Sequence, residues 1–416
     1  MPIPNGVMYA QVDHAAGVQD YAPAAMCLRL IGVSEQDFKS EAFNSGAGCS
    51  TFLIDIAWTD VQELLGIPRR LNASQLVLRG WTQALEEWPP GWWIVIHYTK
   101  ARETSNSYAY ELFTDTGLPT YMTLKWLSFV SGPELRAPAL STTSPSIASR
   151  QNFQLMAFHV GQGMCSLVQG DAGGGILLDV GAGTPVTRQA YQSNTGQASF
   201  NNDLETRTRA LATLKAIISH PDSDHWRVLD WDQRLCHQVT AIYIPSNTAS
   251  LGLKSKHVVG RVHAIGSSTV TNGTGGPPVL NLHRSAPRHS DRNGECLVVE
   301  AVFKGRLLFP GDYVYDRFST DGNPAIKALA SASFDAVVVP HHGDTASRLN
   351  VVQASARTSK AFFSAGNHAL YQHPRQTSIS AHTKAGFKKI SRQPGKPLSP
   401  AQKASTVQDI DEVLLP

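Results

Sequence analysis

The apolar runs of the chain are short, and polar or glycine-rich joints separate them. In the second half they read as strands over Phe153–Val160, Met164–Gln169, Ile176–Val180, Ala216–Ile218, Val239–Ile244, Cys296–Val302, Leu307–Phe309, Asp335–Val339 and Ala361–Ala365. A helix is expected over Arg207–Lys215, leading into the Ile217 strand. Asp171–Gly175 reads as a hairpin turn, and the lone Gly161-Gln162-Gly163 is a weak phosphate cradle because no helix clearly follows it. In the first half, Asp60–Leu65 and Ala73–Leu85 read as short helices, and Trp92–Tyr98 as a buried strand.

The C-terminal ends of these strands carry the candidate chemistry. Ala216–Ile218 runs into Ser219-His220-Pro221-Asp222-Ser223-Asp224-His225, four candidate metal ligands within six residues. Pro221 stops the strand, so the ligands belong on the loop at its C-terminal end. Two imidazoles and two carboxylates in so short a loop suit two adjacent Zn²⁺, Mn²⁺ or Fe ions. Leu307–Phe309 ends in Pro310-Gly311-Asp312, and Asp335–Val339 ends in Pro340-His341-His342-Gly343-Asp344. Ala361–Ala365 ends in Gly366-Asn367-His368, with Tyr371-Gln372-His373-Pro374 beyond. Four strands thus deliver Asp or His to what reads as one edge of a sheet sandwich.

Composition bounds the rest. The chain has 416 residues, enough for two domains, and 42% hydrophobic content argues against global disorder. Six of the eight Trp fall before residue 135, and Ala137–Arg150 is rich in Ser, Thr, Pro and Ala. The expected division is an N-terminal domain over 1–136, a linker over 137–150 and a hydrolase domain over 151–416. A net charge of +3 with no evident Lys/Arg run gives no compositional case for nucleic-acid binding, although a local basic groove stays open. Five scattered cysteines without a CxxC pair argue against a disulfide scaffold or a cysteine zinc site, and for a reducing compartment. No signal peptide and no membrane-spanning run is read, so a cytoplasmic protein with no membrane partner is expected; export by a signal-less route stays open.

The order GQG, ILLDVGAG, SHPDSDH, LLFPGD, VPHHG, YQHP over about residues 153–385 resembles the metallo-β-lactamase fold, and within it the hydrolase domain of ComEC-type competence proteins. The resemblance implies an α/β architecture: an αββα metallo-β-lactamase sandwich preceded by a smaller α+β N-terminal domain. It implies a dinuclear site for two divalent metal ions, Zn or Mn. His220 matches the first His of the metal motif, Asp222 stands where many members have a second His, and Asp224 and His225 match the remaining pair. Asp312 matches the bridging carboxylate, and either His341 or His342 supplies the late histidine. The implied activity is that of a phosphodiesterase or nuclease in which a metal-bridged hydroxide attacks, with Asp224, Asp312 and His373 as the catalytic candidates. The expected partner is a phosphodiester substrate, with nucleic acid as the candidate polymer. Hydrolysis of a small ester, lactone or phosphocholine-type substrate is the alternative on the same site, and a non-catalytic binding module is the alternative of another class.

Two departures bear on substrate. The family opening usually reads Asp-Val-Gly-Gln-Gly-Asp, whereas His159 and Met164 hold the acidic positions here, which makes His159 a substrate-contact candidate. Trp226 and Arg227 follow His225 where small residues are usual. Arg227 is therefore expected to clamp a phosphate oxygen and Trp226 to stack on a base or a cation. Residues 64–98 of the first half weakly resemble a papain-like cysteine protease. No Cys stands in the nucleophile position after Gln19, and Tyr108 or Tyr110 falls where the His belongs. That domain is expected to be catalytically silent and a candidate protein-binding surface; Cys27 and His97 read as structural rather than as a catalytic pair.

Overall fold

The computed structural model describes residues 6–21, 26–64, 91–102, 105–115, 117–142, 145, 147, 153–194, 202–267, 269–272, 279–288, 293–303, 305–365, 372–390 and 408–409. The chain divides into two compact units, residues 1–137 with 249–261, and 138–248 with 262–416. The stretch 249–261, expected within the hydrolase domain, thus belongs to the first unit.

The first unit is a closed barrel. Its strands are β1 (Gly6–Val18), β2 (Met26–Ser34), β3 (Phe52–Ala57), β4 (Trp92–Lys100), β5 (Ser107–Glu111) and β6 (Thr120–Ser131), in the order β1-β2-β3-β5-β6-β4, each pair antiparallel. Closure removes free edges, and strand alternation puts Leu28, Leu30, Ile54, Ile56, Ile94 and Ile96 inside. The only helices of three residues or more among the described residues before 138 are α1 (Glu35–Lys39), α2 (Trp58–Leu64) and one 3₁₀ turn. A closed antiparallel barrel gives the papain-like resemblance no support; most of the stretch that carried it, residues 64–98, lies outside the described residues, as does the expected helix Ala73–Leu85. Cys27 and His97 do not pair. The Cys27 thiol is buried, and that burial and the Asp55 carboxylate push it well up, whereas His97 packs on Trp126 at 4.4 Å. Residues 249–261 lie along the barrel through a Cys49–Ser255 bridge and a Lys256–Glu111 ion pair of 3.2 Å. Gly48, at φ +64°, leaves room for the Lys254 carbonyl, which a Cβ would overlap.

The second unit holds two seven-stranded sheets. The first, in the order β12-β11-β10-β9-β8-β7-β22, is built from β7 (Phe153–His159), β8 (Cys165–Gly170), β9 (Gly174–Val180), β10 (Thr213–Ile217), β11 (Val239–Pro245), β12 (Val262–Ile265) and β22 (Gln408–Asp409). The second, in the order β13-β14-β15-β16-β18-β20-β21, is built from β13 (Thr269–Asn272), β14 (Val279–Arg284), β15 (Leu297–Phe303), β16 (Gly305–Phe309), β18 (Ala336–Val338), β20 (Lys360–Phe362) and β21 (Lys389–Ile390). A separate two-stranded pair joins β17 (Ser333–Phe334) to β19 (Gln353–Ala354). Strands β9 to β12 run parallel, as do β16, β18, β20 and β21.

One core joins the two sheets: Leu155, Val168, Ile176, Ile217 and Tyr243 meet Leu282, Val299, Leu307, Val338 and Phe362. Each such side chain stabilises by about 1.5–3 kcal/mol on burial. The alternate residues Val298, Leu308, Val337 and Phe363 face outward, where Ile326 and Leu329 of one helix (Pro324–Leu329) and Ile379 of another (Gln376–Lys384) cover them. The helix expected at Arg207–Lys215 forms earlier, at Asp203–Arg209, because the Asn202 side chain caps it by accepting from the Glu205 N–H at 3.0 Å. Thr213–Lys215 is already strand, tied in by the Ala212 N–H donating to the Gly173 carbonyl at 2.8 Å.

Candidate metal centre

Parallel pairing sets the site. Strands β10, β16, β18 and β20 end at one edge, and the residues just past them are Ser219–His225, Pro310–Asp312, Val339–His342 and Phe363–Ala365. Polar residues at strand ends meet there because strands of one direction finish together.

The histidines share one arrangement: each ring is held through Nδ1, and its Nε2 points into the cluster. His225 Nδ1 donates to Asp179 Oδ2 at 2.8 Å. His220 Nδ1 lies 3.3 Å from Ser219 Oγ, a hydroxyl that donates to the same Asp179 carboxylate at 2.8 Å. His342 Nδ1 donates to the Ser364 carbonyl at 2.9 Å. The Nε2 atoms of all three, with Oδ1 of Asp312, are buried and make no hydrogen bond.

Carboxylates ring these nitrogens. Asp312 Oδ1 faces His225 Nε2 at 3.3 Å and His342 Nε2 at 3.8 Å, while its Oδ2 faces His220 at 3.7 Å and His341 at 3.8 Å. Asp224 stands 3.2 Å from His342 and 3.8 Å from His225, and Asp222 stands 3.6 Å from His220. Two ligand-like triads result, His220–His225–Asp312 and Asp224–His225–His342. Buried donors of this kind, converging without hydrogen bonds, fit a divalent cation: the nitrogen lone pairs and anionic oxygens otherwise go unsatisfied.

The electrostatics agree. Burial works against charge on Asp312, yet His225, His341, His342 and His220 hold its carboxyl well below the usual range. Asp224 is likewise held low against its burial, by His225 and His342. Burial disfavours the charged form of His225, but Asp179, Asp312 and Asp224 outweigh it and raise its pKa well above the ordinary value. His341 is raised to about 9, because Asp312 and Asp344 outweigh its burial. Without a metal the carboxylates attract protons onto the imidazoles; a cation and those protons compete for one place.

Backbone strain clusters here too. Asp179, His341, His342 and Gln372 all adopt positive φ, between 48° and 54°. Gly311, at φ +59°, lies where a Cβ would overlap Ser219 Oγ.

Of the remaining candidates, His373 is brought to the cluster. Its ring lies parallel to that of His342 at 6.3 Å, and Gln162 Nε2 donates to its Nδ1 at 3.2 Å. Burial, then the charges of His341 and His342, lower its pKa to about 3, so it is a neutral imidazole with its hydrogen on Nε2. His159, at the end of β7, packs on Phe362 at 5.2 Å. Trp226 corrects the expectation: it is fully buried, and its Nε1 donates to the Pro221 carbonyl at 2.9 Å, so no face is left to stack on a base. Arg227 is 5% exposed, with its guanidinium 4.7 Å above the Trp231 ring, packed in the short helix Arg227–Trp231 rather than offered as a clamp. Asp179, Ser219 and Ser364 were missed. The signal for Asp179 was present, since it ends an apolar strand just as the other acidic candidates do.

No family model and no curated protein matches the chain. Among solved structures it is similar to the metallo-beta-lactamase fold protein YhfI from Bacillus subtilis, at 10% identity and a TM-score of 0.30, over 57% of this chain and 95% of that one. It is also similar to the metallo-beta-lactamase GOB-18 from Elizabethkingia meningoseptica, at 14% identity and a TM-score of 0.28, over 61% and 96% of the two chains.

Proposed function

We propose that the second unit is a metal-dependent hydrolase of metallo-β-lactamase type, an αββα sandwich with a dinuclear centre, acting on a phosphodiester. The observation that carries this is the convergence of three buried histidine Nε2 atoms and Asp312 Oδ1, none hydrogen-bonded, inside a ring of carboxylates. Asp224, His225 and His342 would hold one ion and His220 with Asp222 the other. Asp312 would be shared between them, since its two oxygens face different histidines. Divalent ions in such a set supply water activation near neutral pH and neutralise charge on the attacked group.

The chain's own residues do the rest. Asp179 and the Ser364 carbonyl fix the Nδ1–H tautomers of His225 and His342 and so present Nε2 as the ligand atom. His373, neutral with its hydrogen on Nε2, would donate a hydrogen bond from that nitrogen to the departing oxygen. An anionic substrate is favoured by charge: between Asp344 and Asp409 the sequence has ten Lys or Arg and no Asp or Glu. These charges are spread along the stretch, with Lys388-Lys389 the one adjacent pair, so it forms no Lys/Arg run.

The test is elemental analysis after supplementation with Mn²⁺ or Zn²⁺, paired with hydrolysis of bis(p-nitrophenyl) phosphate with and without chelator. About two ions per chain are expected, with chelator-sensitive turnover. Asp312→Ala should lower turnover by roughly three orders of magnitude or more and reduce metal content, since one carboxylate serves both ions. Wild-type metal content in that variant would remove Asp312 from the centre.

A further inference from the structure

One cation outside the triads, Arg284, sits on the strand pair that is tied to Ser219. Arg284 is the last residue of β14 and pairs with Leu297, whose N–H donates to the carbonyl of Ser219, the residue before His220, at 2.8 Å. Strand β14 ends where its antiparallel partner β15 begins, and β16, antiparallel to β15, runs out into Asp312 at that same edge. Ser246 and Asn247 leave β11 at the end where Ser219 and His220 leave the parallel β10. Asn293, which precedes β15, has its Nδ2 3.5 Å from His341 Nε2.

The guanidinium is pinned but not neutralised. Arg284 Nη1 donates to Ser246 Oγ at 2.6 Å and to Asn247 Oδ1 at 3.2 Å, both neutral oxygens. Its Nε is buried and makes no hydrogen bond. Among the described residues no carboxylate lies within 4.0 Å of it. Glu295 feels its charge without touching it, and its own burial raises its pKa against that pull. Nη2 donates to none of the described residues, and on a half-buried side chain it is the N–H group that an anionic oxygen can reach and match.

We propose that Arg284 is the anion-recognition residue of this edge, taking a phosphoryl oxygen of the substrate from a position fixed by Ser246 and Asn247. This is the role that the sequence assigned to Arg227. The inference rests on the proposed function for the identity of the neighbouring centre, and on Arg284 itself for the binding of phosphate.

Two measurements test it. Calorimetric titration of chelator-treated protein with inorganic phosphate should show binding that weakens about tenfold or more in Arg284→Gln. Arg284→Lys, which keeps the charge but loses the fork, should fall between, and it serves alone if the Gln variant does not fold. In metal-loaded protein, Arg284→Gln should lose about ten- to a hundredfold in kcat/KM on bis(p-nitrophenyl) phosphate, while p-nitrophenyl acetate turnover and metal content stay at wild-type values. Phosphate affinity unchanged in both variants, or an equal loss with both substrates, would overturn the inference. Arg284-dependent phosphate binding by a protein that hydrolyses neither substrate would instead sink the hydrolase reading and leave this one standing.

Discussion

Each unit buries a cluster of charge, and the two clusters differ in how they are satisfied. In the barrel, Arg29 donates from Nε and Nη2 to the two oxygens of Asp55 at 2.7 and 2.8 Å and from Nη2 to the Val18 carbonyl at 3.0 Å. Tyr108 donates to Asp55 at 2.5 Å, and Tyr110 to Asp20 at 2.9 Å. None of these side-chain atoms is left buried without a hydrogen bond. At the sheet edge of the second unit, His220, His225, His342 and Asp312 are as deeply buried, yet each keeps one polar atom unbonded. Burying charge is costly in both places, so burial alone does not mark a site. The difference is closure. The barrel cluster is complete within the chain and reads as structure, whereas the other leaves polar atoms open within the chain, as the proposed metal centre requires.

The barrel side of the comparison breaks most easily at Asp55. Asp55→Ala leaves Arg29 buried with Asp20 3.4 Å away as its remaining carboxylate. A loss of about 3–5 kcal/mol is expected for removing one partner of a buried pair. Chemical denaturation followed by tryptophan fluorescence reads it, since six of the eight Trp lie before residue 135. Metal content per folded molecule should not change. A loss below about 1 kcal/mol would mean that the cluster is less closed than its hydrogen bonds imply.

On the open side, the sharpest probe is Asp179, which among the described residues touches the centre through His225 and Ser219. Asp179→Asn keeps an acceptor but loses the charge that holds the His225 tautomer. Metal affinity, measured by competition with a chelator, should fall about 10–100-fold. An unchanged affinity would show that the strand end alone orients the ring.

Much of this edge was legible in the sequence. The strands before His220, Asp312 and His341 were readable because β-branched runs stop at Pro or Gly, and parallel strands bring their ends together. Asp179 was passed over because its strand lacked a neighbouring His, although its role is to hold one. Trp226 and Arg227 misled because adjacency in sequence to His225 was taken for adjacency in space, and the short helix that starts at Arg227 turns both side chains into the protein. Arg284 left no local signal at all. It reaches the edge through the pairing of β14 with β15, and such long-range register is not written in any window around residue 284. The barrel was unreadable for a similar reason: closure depends on β1 pairing with β4, across more than seventy intervening residues.

A third cluster lies between the two extremes and carries the smallest effect. Glu300, on the outward face of β15, accepts from Asn281 Nδ2 at 2.8 Å and from Arg306, and lies 3.8 Å from His283 Nε2. Burial raises its pKa, but the nearby His283, hydrogen bonds from Asn281 and Arg306, and the Arg306 charge outweigh it and hold the carboxyl at about 2. An unfolded glutamate titrates near about 4.3. The folded value is therefore the lower one, so the stabilisation is fully present above about pH 4.3 and is lost as pH falls towards about 2. Arg306 is 37% exposed, so solvent screens part of the attraction, and roughly 1–2 kcal/mol at neutral pH is expected rather than the full linkage value. Glu300→Gln should cost that much at pH 7 and nothing at pH 2, so that denaturation midpoints of wild type and variant converge on acidification. A difference that stayed constant over the range would place the acid sensitivity elsewhere. It would also show that a half-open network of this kind holds its carboxylate by packing rather than by charge.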